Sequence, residues 1–244
     1  MKVRIKFRKY GALRFIGHLD LMRFFQKIMR KAEIPIAYSQ GFNPHMVMSF
    51  ASPLGIGITS DGEYLDIQLL APVSSEEAIK RMNEVSIEGV EIISFRKIAE
   101  EKRMTGMSIL AAADYHCQVR DYKTQECTSC FEEKIWQKMW AQFMAMGSIV
   151  VMKQTKRSIQ EVNIRPQIYQ TNLGVNGDVF LQLTAGSVEN LKPNLVIKTF
   201  CEYHQLPLTD ASFSYHRLEM YANIGERGER RLVSLESLGK DITL

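Results

Sequence analysis

Two histidines stand close together in the sequence, beside residues that could assist them in acid–base chemistry. His18 lies in a Gly-His-Leu-Asp run that ends at Asp20, and His45 ends a Tyr-Ser-Gln-Gly-Phe-Asn-Pro-His run. Imidazoles change protonation state near neutral pH, so the pair could act as general acid and base with Asp20 as the orienting carboxylate. Each histidine could instead cap a helix or bond loop carbonyls, and both interpretations stay open.

Positive charge concentrates in the same part of the chain. Residues 1–60 hold 10 Lys and Arg side chains against two acids, Asp20 and Glu33, which gives a net charge of +8. The whole chain carries +4, so residues 61–244 carry +4 minus +8, or −4. Such a charge step is typical of a surface that binds an anion such as nucleic acid.

The elements that would position these side chains follow from the hydrophobic period. Residues 2–8 alternate apolar and cationic side chains, which predicts a half-buried strand with an exposed row of cations. Residues 18–32 change to a helical period and should end before Pro35, because the residue ahead of a proline is pushed out of the helical conformation. The cations on the polar face of this helix are Arg23, Lys27 and Arg30.

The order of predicted elements defines the expected fold class. Residues 1–98 run strand, helix, strand, strand, helix, strand, which predicts a ferredoxin-like (split β-α-β) domain. Residues 99–106 are polar without periodicity and predict a linker. The order partly recurs over residues 107–224, with an insertion near residues 158–176, and residues 225–244 would form a C-terminal tail or a partner-dependent strand. We therefore expect an α+β protein of two tandem ferredoxin-like domains with antiparallel sheets.

The second predicted domain has fewer distinctive signals. Its first helix should span residues 131–146, and a helical period places four apolar side chains on the buried stripe. These side chains are Ile135, Met139, Phe143 and Met146.

Several side chains are candidates for contact with nucleic acid. Tyr38 could stack on a base or lie in the core, and we assign Phe42 to the core. Lys156, Arg157 and Arg165 form a smaller cationic group in the second half, which could extend a nucleic-acid path or be a salt-bridged surface. The full candidate set is Lys6, Arg8, Arg14, Arg23, Lys27, Arg30, Tyr38, Gln40, Asn43, Lys156, Arg157 and Arg165.

Other classes of protein fit the sequence less well. No segment approaches the roughly 18–20 apolar residues of a membrane span, and the alternating N-terminus does not resemble a signal peptide. Free cysteines fit a reducing compartment, so we expect a cytoplasmic protein. Cys127 and Cys130 have the spacing of half a zinc site, but no second pair completes it, so we expect neither a metal nor a cofactor.

Several motifs resemble one bacterial family. Residues 17–20 (Gly-His-Leu-Asp), 34–45 (Ile-Pro-Ile-Ala-Tyr-Ser-Gln-Gly-Phe-Asn-Pro-His), 53–55 (Pro-Leu-Gly) and 63–66 (Glu-Tyr-Leu-Asp) together are similar to the radical-SAM-linked protein family. In that family this domain stands alone or is fused behind a radical SAM protein. Members often stand near ribonuclease G and ribosomal-protein genes, so the resemblance implies a link to RNA. The chain has no CxxxCxxC cluster motif, so it would work with a radical SAM enzyme rather than as one.

Three functions remain open at this point. The first is an RNA-binding accessory protein that acts with a radical SAM enzyme in the modification or processing of tRNA or rRNA. The second is a metal-independent endoribonuclease or RNA-modifying enzyme that uses His18 and His45. The third is a partner-docking protein that binds a small anion or cofactor.

Overall fold

The fold is α+β, as the sequence predicts. The computed structural model describes residues 1–120, 133–154, 159–174, 177–226 and 228–244. The chain divides into two compact units. The first comprises Met1–Ala112, Gly186–Val188 and Arg217–Leu244, and the second comprises Ala113–Ala185 and Glu189–His216.

The helices and strands fall into the two units as follows. The first unit contains β1 (Lys2–Lys9), α1 (His18–Lys31), β2 (Met48–Phe50), β3 (Thr59–Gln68), α2 (Ser75–Glu84), β4 (Val90–Lys97), the short α3 (Gly106–Ile109), β11 (Leu232–Ser234) and β12 (Lys240–Asp241). The second contains α4 (Glu133–Met144), β6 (Val150–Gln154), β7 (Ile159–Asn163), β8 (Ile168–Leu173), β9 (Val179–Thr184) and α5 (Pro193–Tyr203). Two strands contribute residues to both units, β5 (Leu110–Val119) and β10 (Phe213–Asn223). Among the described residues, no helix is both long and apolar enough to cross a membrane.

In the first unit, β1 lies in the middle of the sheet. The strand order is β12-β4-β1-β3-β10, with β2 also paired to β3 and β11 to β10. Strand β1 pairs antiparallel with β3 and β4. Its apolar side chains Val3, Ile5 and Phe7 are fully buried in one core with residues of α1 and α2.

Helix α1 confirms the predicted amphipathic helix and its end. Asp20 lies in the first turn, where its negative charge interacts favourably with the positive end of the helix dipole. The helix ends at Lys31, and Glu33 takes a left-handed conformation (φ 52°) two residues before Pro35. On the buried side, the Phe25 ring lies 4.7 Å from that of Phe7.

In the second unit the strand order is β10-β5-β9-β8, and β6 and β7 pair in a separate antiparallel ribbon. Helix α4 confirms the predicted buried stripe only in part, because Phe143 is fully buried but Ile135 is 41% exposed, whereas Trp136 and Trp140 are buried. The two indole rings pack on Phe200 of α5 at centroid distances of 5.0 and 4.9 Å. Large aromatic rings remove more apolar surface from water than Ile135 would, so they decide which face turns inward.

Two segments predicted to lie outside the domains pack on the first unit. The predicted linker forms a 3-10 helix at Lys102–Met104 and the start of α3. The predicted tail adds β12 to the edge of β4 and β11 to β10, and Leu235 between them is fully buried. Both segments therefore belong to the folded structure of this unit.

Candidate functional site

The outer face of β1 is not an exposed row of cations, so this prediction is wrong. Arg4 is only 2% exposed, and its Nε and Nη2 donate to the Asp66 carboxylate at 2.7 and 2.9 Å. The same guanidinium donates to the carbonyl oxygens of Met104 and Leu235 at 2.9 and 3.2 Å. Arg4 thus holds the predicted linker and the C-terminal segment on the sheet.

Lys6 is likewise bonded to carboxylates rather than exposed. Its ammonium donates to Glu219 Oε2 at 2.7 Å and Glu236 Oε2 at 3.1 Å, and the Tyr64 hydroxyl donates to Glu219 Oε1 at 2.6 Å. Burial lowers the pKa of Lys6, but hydrogen bonds and attraction to the two carboxylates outweigh burial and raise that pKa above its ordinary value. Lys6 was a candidate for nucleic acid, and the structure places it in a half-enclosed ion cluster instead.

Two further cations of β1, Arg8 and Lys9, also have partners. Arg8 is 44% exposed at its side chain and donates to Asp61 at 2.8 Å and Glu91 at 3.3 Å. Lys9 is 1% exposed, and its ammonium donates to the carbonyl of Ile16 at 3.1 Å. Burial lowers the pKa of Lys9, and attraction to a buried carboxylate, Glu63, offsets part of this effect.

Buried ion pairing extends from β3 to β10. Arg217 is 5% exposed, and its Nη1 donates to both carboxylate oxygens of Glu63 at 3.0 and 3.3 Å. Like the Arg4–Asp66 pair, this one joins residues that are far apart in the sequence. Glu63 pairs opposite Phe7 on the core face, so buried ion pairs occur on both faces of this sheet.

The outer face of α1 is different. Arg23 is 71% exposed at its side chain and bonds Asp20 at 3.1 Å. Lys27, Arg30 and Lys31 are also exposed, and none of these three has an ion-pair partner among the described residues. We call Arg23, Lys27, Arg30 and Lys31 the α1 cation face. Lys31 was not among the predicted candidates, although its position in the last helical turn gave the signal.

The structure does not bring the two histidines together. His18 is half-buried at the start of α1, with its ring 5.3 Å from that of Phe50. His45 is exposed, and its Nδ1 lies 2.8 Å from Ser39 Oγ. His45 precedes Phe50, which the His18 ring contacts, by five residues of mostly extended chain. The Cα atoms of His45 and Phe50 therefore lie roughly 16 Å apart. Within the described part of the chain, no hydrogen bond joins the two imidazoles, and the Asp20 carboxylate bonds Arg23 instead.

Residues 38–45 form an exposed loop beyond the C-terminal end of α1, which we call the 38–45 loop. Tyr38, at the base of this loop, is 47% exposed. Phe42 is fully exposed, at 106% of its reference area, so its assignment to the core is wrong. Gly41 before it has φ 112°, a conformation that favours glycine. The candidates Gln40 and Asn43 are exposed in the same loop.

The other predicted candidates belong to other segments of the chain. The Arg14 guanidinium lies 4.7 Å from the ring centroid of Phe15, ahead of α1. Arg165 belongs to the second unit and donates to the carbonyl of Met144 at 3.1 Å. Lys156, Arg157, Cys127 and Cys130 lie outside the described residues. Within the described ranges, no group of three or more His, Cys, Asp or Glu side chains could hold a metal ion.

The match to a known family covers most of the chain. A family described as "Uncharacterized protein conserved in bacteria (DUF2344)" matches residues 2–193. The matched range includes the α1 cation face and the 38–45 loop. No curated protein matches the chain.

Proposed function

We propose, from the premise that the chain belongs to the bacterial family DUF2344, that it binds RNA through the α1 cation face. One observation supports this best: Lys27, Arg30 and Lys31 are exposed with no ion-pair partner among the described residues. Arg4, Lys6, Arg8 and Lys9 of β1, in contrast, are bonded to carboxylates or carbonyls. Exposed, unpaired cations attract phosphates, and binding releases the counterions that surround the nucleic acid.

The local charge distribution favours a polyanion further. Residues 34–60, which follow α1, contain no Asp, Glu, Lys or Arg. No carboxylate of that stretch would therefore repel a phosphate chain leaving the C-terminal end of α1. The exposed carboxylates nearest in sequence to this face are Asp20, which bonds Arg23, and Glu33, two residues beyond Lys31, so its cations remain in excess.

The test is a titration of fluorescently labelled RNA with the whole chain at increasing salt. If all four cations of the face contact a single strand, affinity should fall roughly fiftyfold between 50 and 200 mM salt. Binding that does not change with salt, or no binding at 50 mM, would refute the proposal.

We do not propose an enzyme that uses His18 and His45 as a pair, because the structure gives the two rings separate partners. A catalytic role would require one histidine to act with groups supplied by the substrate. Turnover of RNA by the purified chain, lost in His18→Ala, would be needed to revive that alternative.

Three finer assignments are also proposals. In the first unit the order β4-β1-β3-β2, with α1 and α2 in one core, supports a ferredoxin-like domain, and the order β10-β5-β9-β8 supports a second. The proposal of a radical SAM partner acting on tRNA or rRNA rests on the resemblance of residues 17–20 and 34–45 to the radical-SAM-linked family. A cytoplasmic location would follow from such a partner. Co-purification of a radical SAM protein with the tagged chain tests this partnership.

A further inference from the structure

We propose that the 38–45 loop binds an unpaired base by stacking it on Phe42, so that single-stranded or looped RNA, rather than duplex, is the substrate class. This inference rests on the proposed RNA binding by the α1 cation face. It extends that proposal from attraction of phosphates to recognition of a base.

The tip of the 38–45 loop combines an exposed aromatic ring with exposed polar side chains. The Phe42 ring is fully exposed, and its neighbours Gln40, Asn43 and His45 are exposed polar side chains. An apolar protein partner would call for a continuous apolar patch, and this loop offers the rings of Tyr38 and Phe42 among amide and imidazole groups. A nucleobase matches both parts, because it has a π-face for the ring and polar edges for the amides.

The 38–45 loop is held in one conformation at its base. Tyr38 and Met46 pair as a β-bridge, and the Ser39 backbone N–H donates to the His45 carbonyl at 2.8 Å. The His45 backbone N–H donates to Ser39 Oγ at 3.1 Å, and the two side chains are also in hydrogen-bond contact. A restrained loop loses less conformational entropy when it binds a ligand.

The 38–45 loop lies within reach of the α1 cation face. The Ile34 N–H donates to the carbonyl of Met29, which ties the connection to the end of α1. Tyr38 follows Lys31 by seven residues, so their Cα atoms lie at most roughly 25 Å apart. A strand whose phosphates contact the helix can therefore extend to the loop within a few nucleotides. Base stacking on aromatic rings beside a cationic track is how single strands are commonly bound.

The experiment compares two RNAs and two variants of the full chain. The probes are a labelled ten-nucleotide single strand and a ten-base-pair duplex, titrated at 50 mM salt. Phe42→Ala should lower affinity for the single strand by roughly tenfold and leave affinity for the duplex unchanged. Phe15→Ala is the matched control, because Phe15 is 60% exposed ahead of α1 and should change neither affinity.

A second variant provides a direct signal of stacking. Phe42→Trp should retain the affinity for the single strand, and its added fluorescence should be quenched by that RNA and not by the duplex. Since Phe42 contacts solvent only, both variants should keep the thermal unfolding temperature of the unchanged chain.

The outcomes separate the two proposals. Equal affinity of Phe42→Ala and the unchanged chain for the single strand would overturn the inference, as would an equal loss for both RNAs. In either case, salt-dependent binding that needs the α1 cation face would leave the proposed function standing. Absence of RNA binding by the unchanged chain would overturn both.

Discussion

Two faces of the first unit, the outer face of β1 and the outer face of α1, both carry Lys and Arg side chains, but they differ in burial and ion pairing. On the outer face of β1, Arg4 and Lys6 are buried or half-enclosed and bonded to Asp66, Glu219 and Glu236. On α1, most of the cations are exposed without an ion-pair partner in the described part of the chain. A net charge of +8 in residues 1–60 therefore overstates the charge that is available to a ligand.

The difference follows from what covers each face. Removing a cation from water is unfavourable unless a carboxylate and further hydrogen bonds satisfy it, so the burial of β1 requires acids from β3, β10 and the C-terminal segment. Nothing described in the first unit covers the outer side of α1 in this way. We infer that the β1 cations stabilise the fold and the α1 cations are available for binding.

The largest expected effect comes from breaking a buried pair. Asp66→Ala leaves the Arg4 guanidinium, 2% exposed, without its carboxylate and removes the acceptor of the Gly106 N–H. We expect the free energy of unfolding to fall by about 3–5 kcal/mol. Urea denaturation followed by circular dichroism measures this change. A loss below about 1 kcal/mol would mean that the outer face is not stabilised by its ion pairs.

A smaller, pH-dependent effect is expected at Lys6. In the folded chain its pKa is raised above 10.5, so its stabilising contribution is complete below that pH and is lost as pH rises through the raised value. Burial alone would raise the pKa of Glu236, but its hydrogen bond and attraction to Lys6 lower that pKa below 4.5, so this contribution is lost as pH falls through the lowered value.

Lys6→Met should reveal that window. We expect its free energy of unfolding to lie about 1–3 kcal/mol below that of the unchanged chain. The gap should be constant from about pH 6 to pH 9 and should shrink in acid and in strong alkali. A gap that widens above about pH 10 would contradict the assigned pairing. Chemical denaturation at each pH gives the comparison.

The smallest effect is expected on the exposed face. Asp20 and Arg23 are 64% and 71% exposed at their side chains, and exposed pairs contribute little. Asp20→Ala should change the free energy of unfolding by less than about 0.5 kcal/mol. It should also strengthen RNA binding slightly, because Arg23 loses its competing carboxylate. Weaker RNA binding would argue that Asp20, rather than the cations, contacts the ligand.

Local pattern in the sequence was sufficient for α1 and the inward face of β1. A strict period of two or of about 3.6 residues identifies which side chains share a face, and Phe7 and Phe25 are buried as those periods require. The same periods cannot show what covers the opposite face. The acids that neutralise β1 come from residues up to 230 positions away, in a segment predicted to form a C-terminal tail.

The candidate site was predictable to a similar extent. The cations of α1 lie on one exposed face, as expected. Phe42 was assigned to the core, but it is fully exposed in the loop after Gly41. The histidines were close in sequence, whereas a strand that starts after His45 and a helix that starts at His18 separate them in space.

The most direct test of the central claim compares two triple variants of equal charge. One is Lys27→Ala, Arg30→Ala, Lys31→Ala on α1, and the other is Lys80→Ala, Lys102→Ala, Arg103→Ala on exposed positions of the same unit. The slope of the logarithm of RNA affinity against the logarithm of salt concentration should be about −2.8 for the unchanged chain and the second variant. It should weaken to about −0.7 for the α1 variant, in which only Arg23 remains. Equal slopes for both variants would contradict the account.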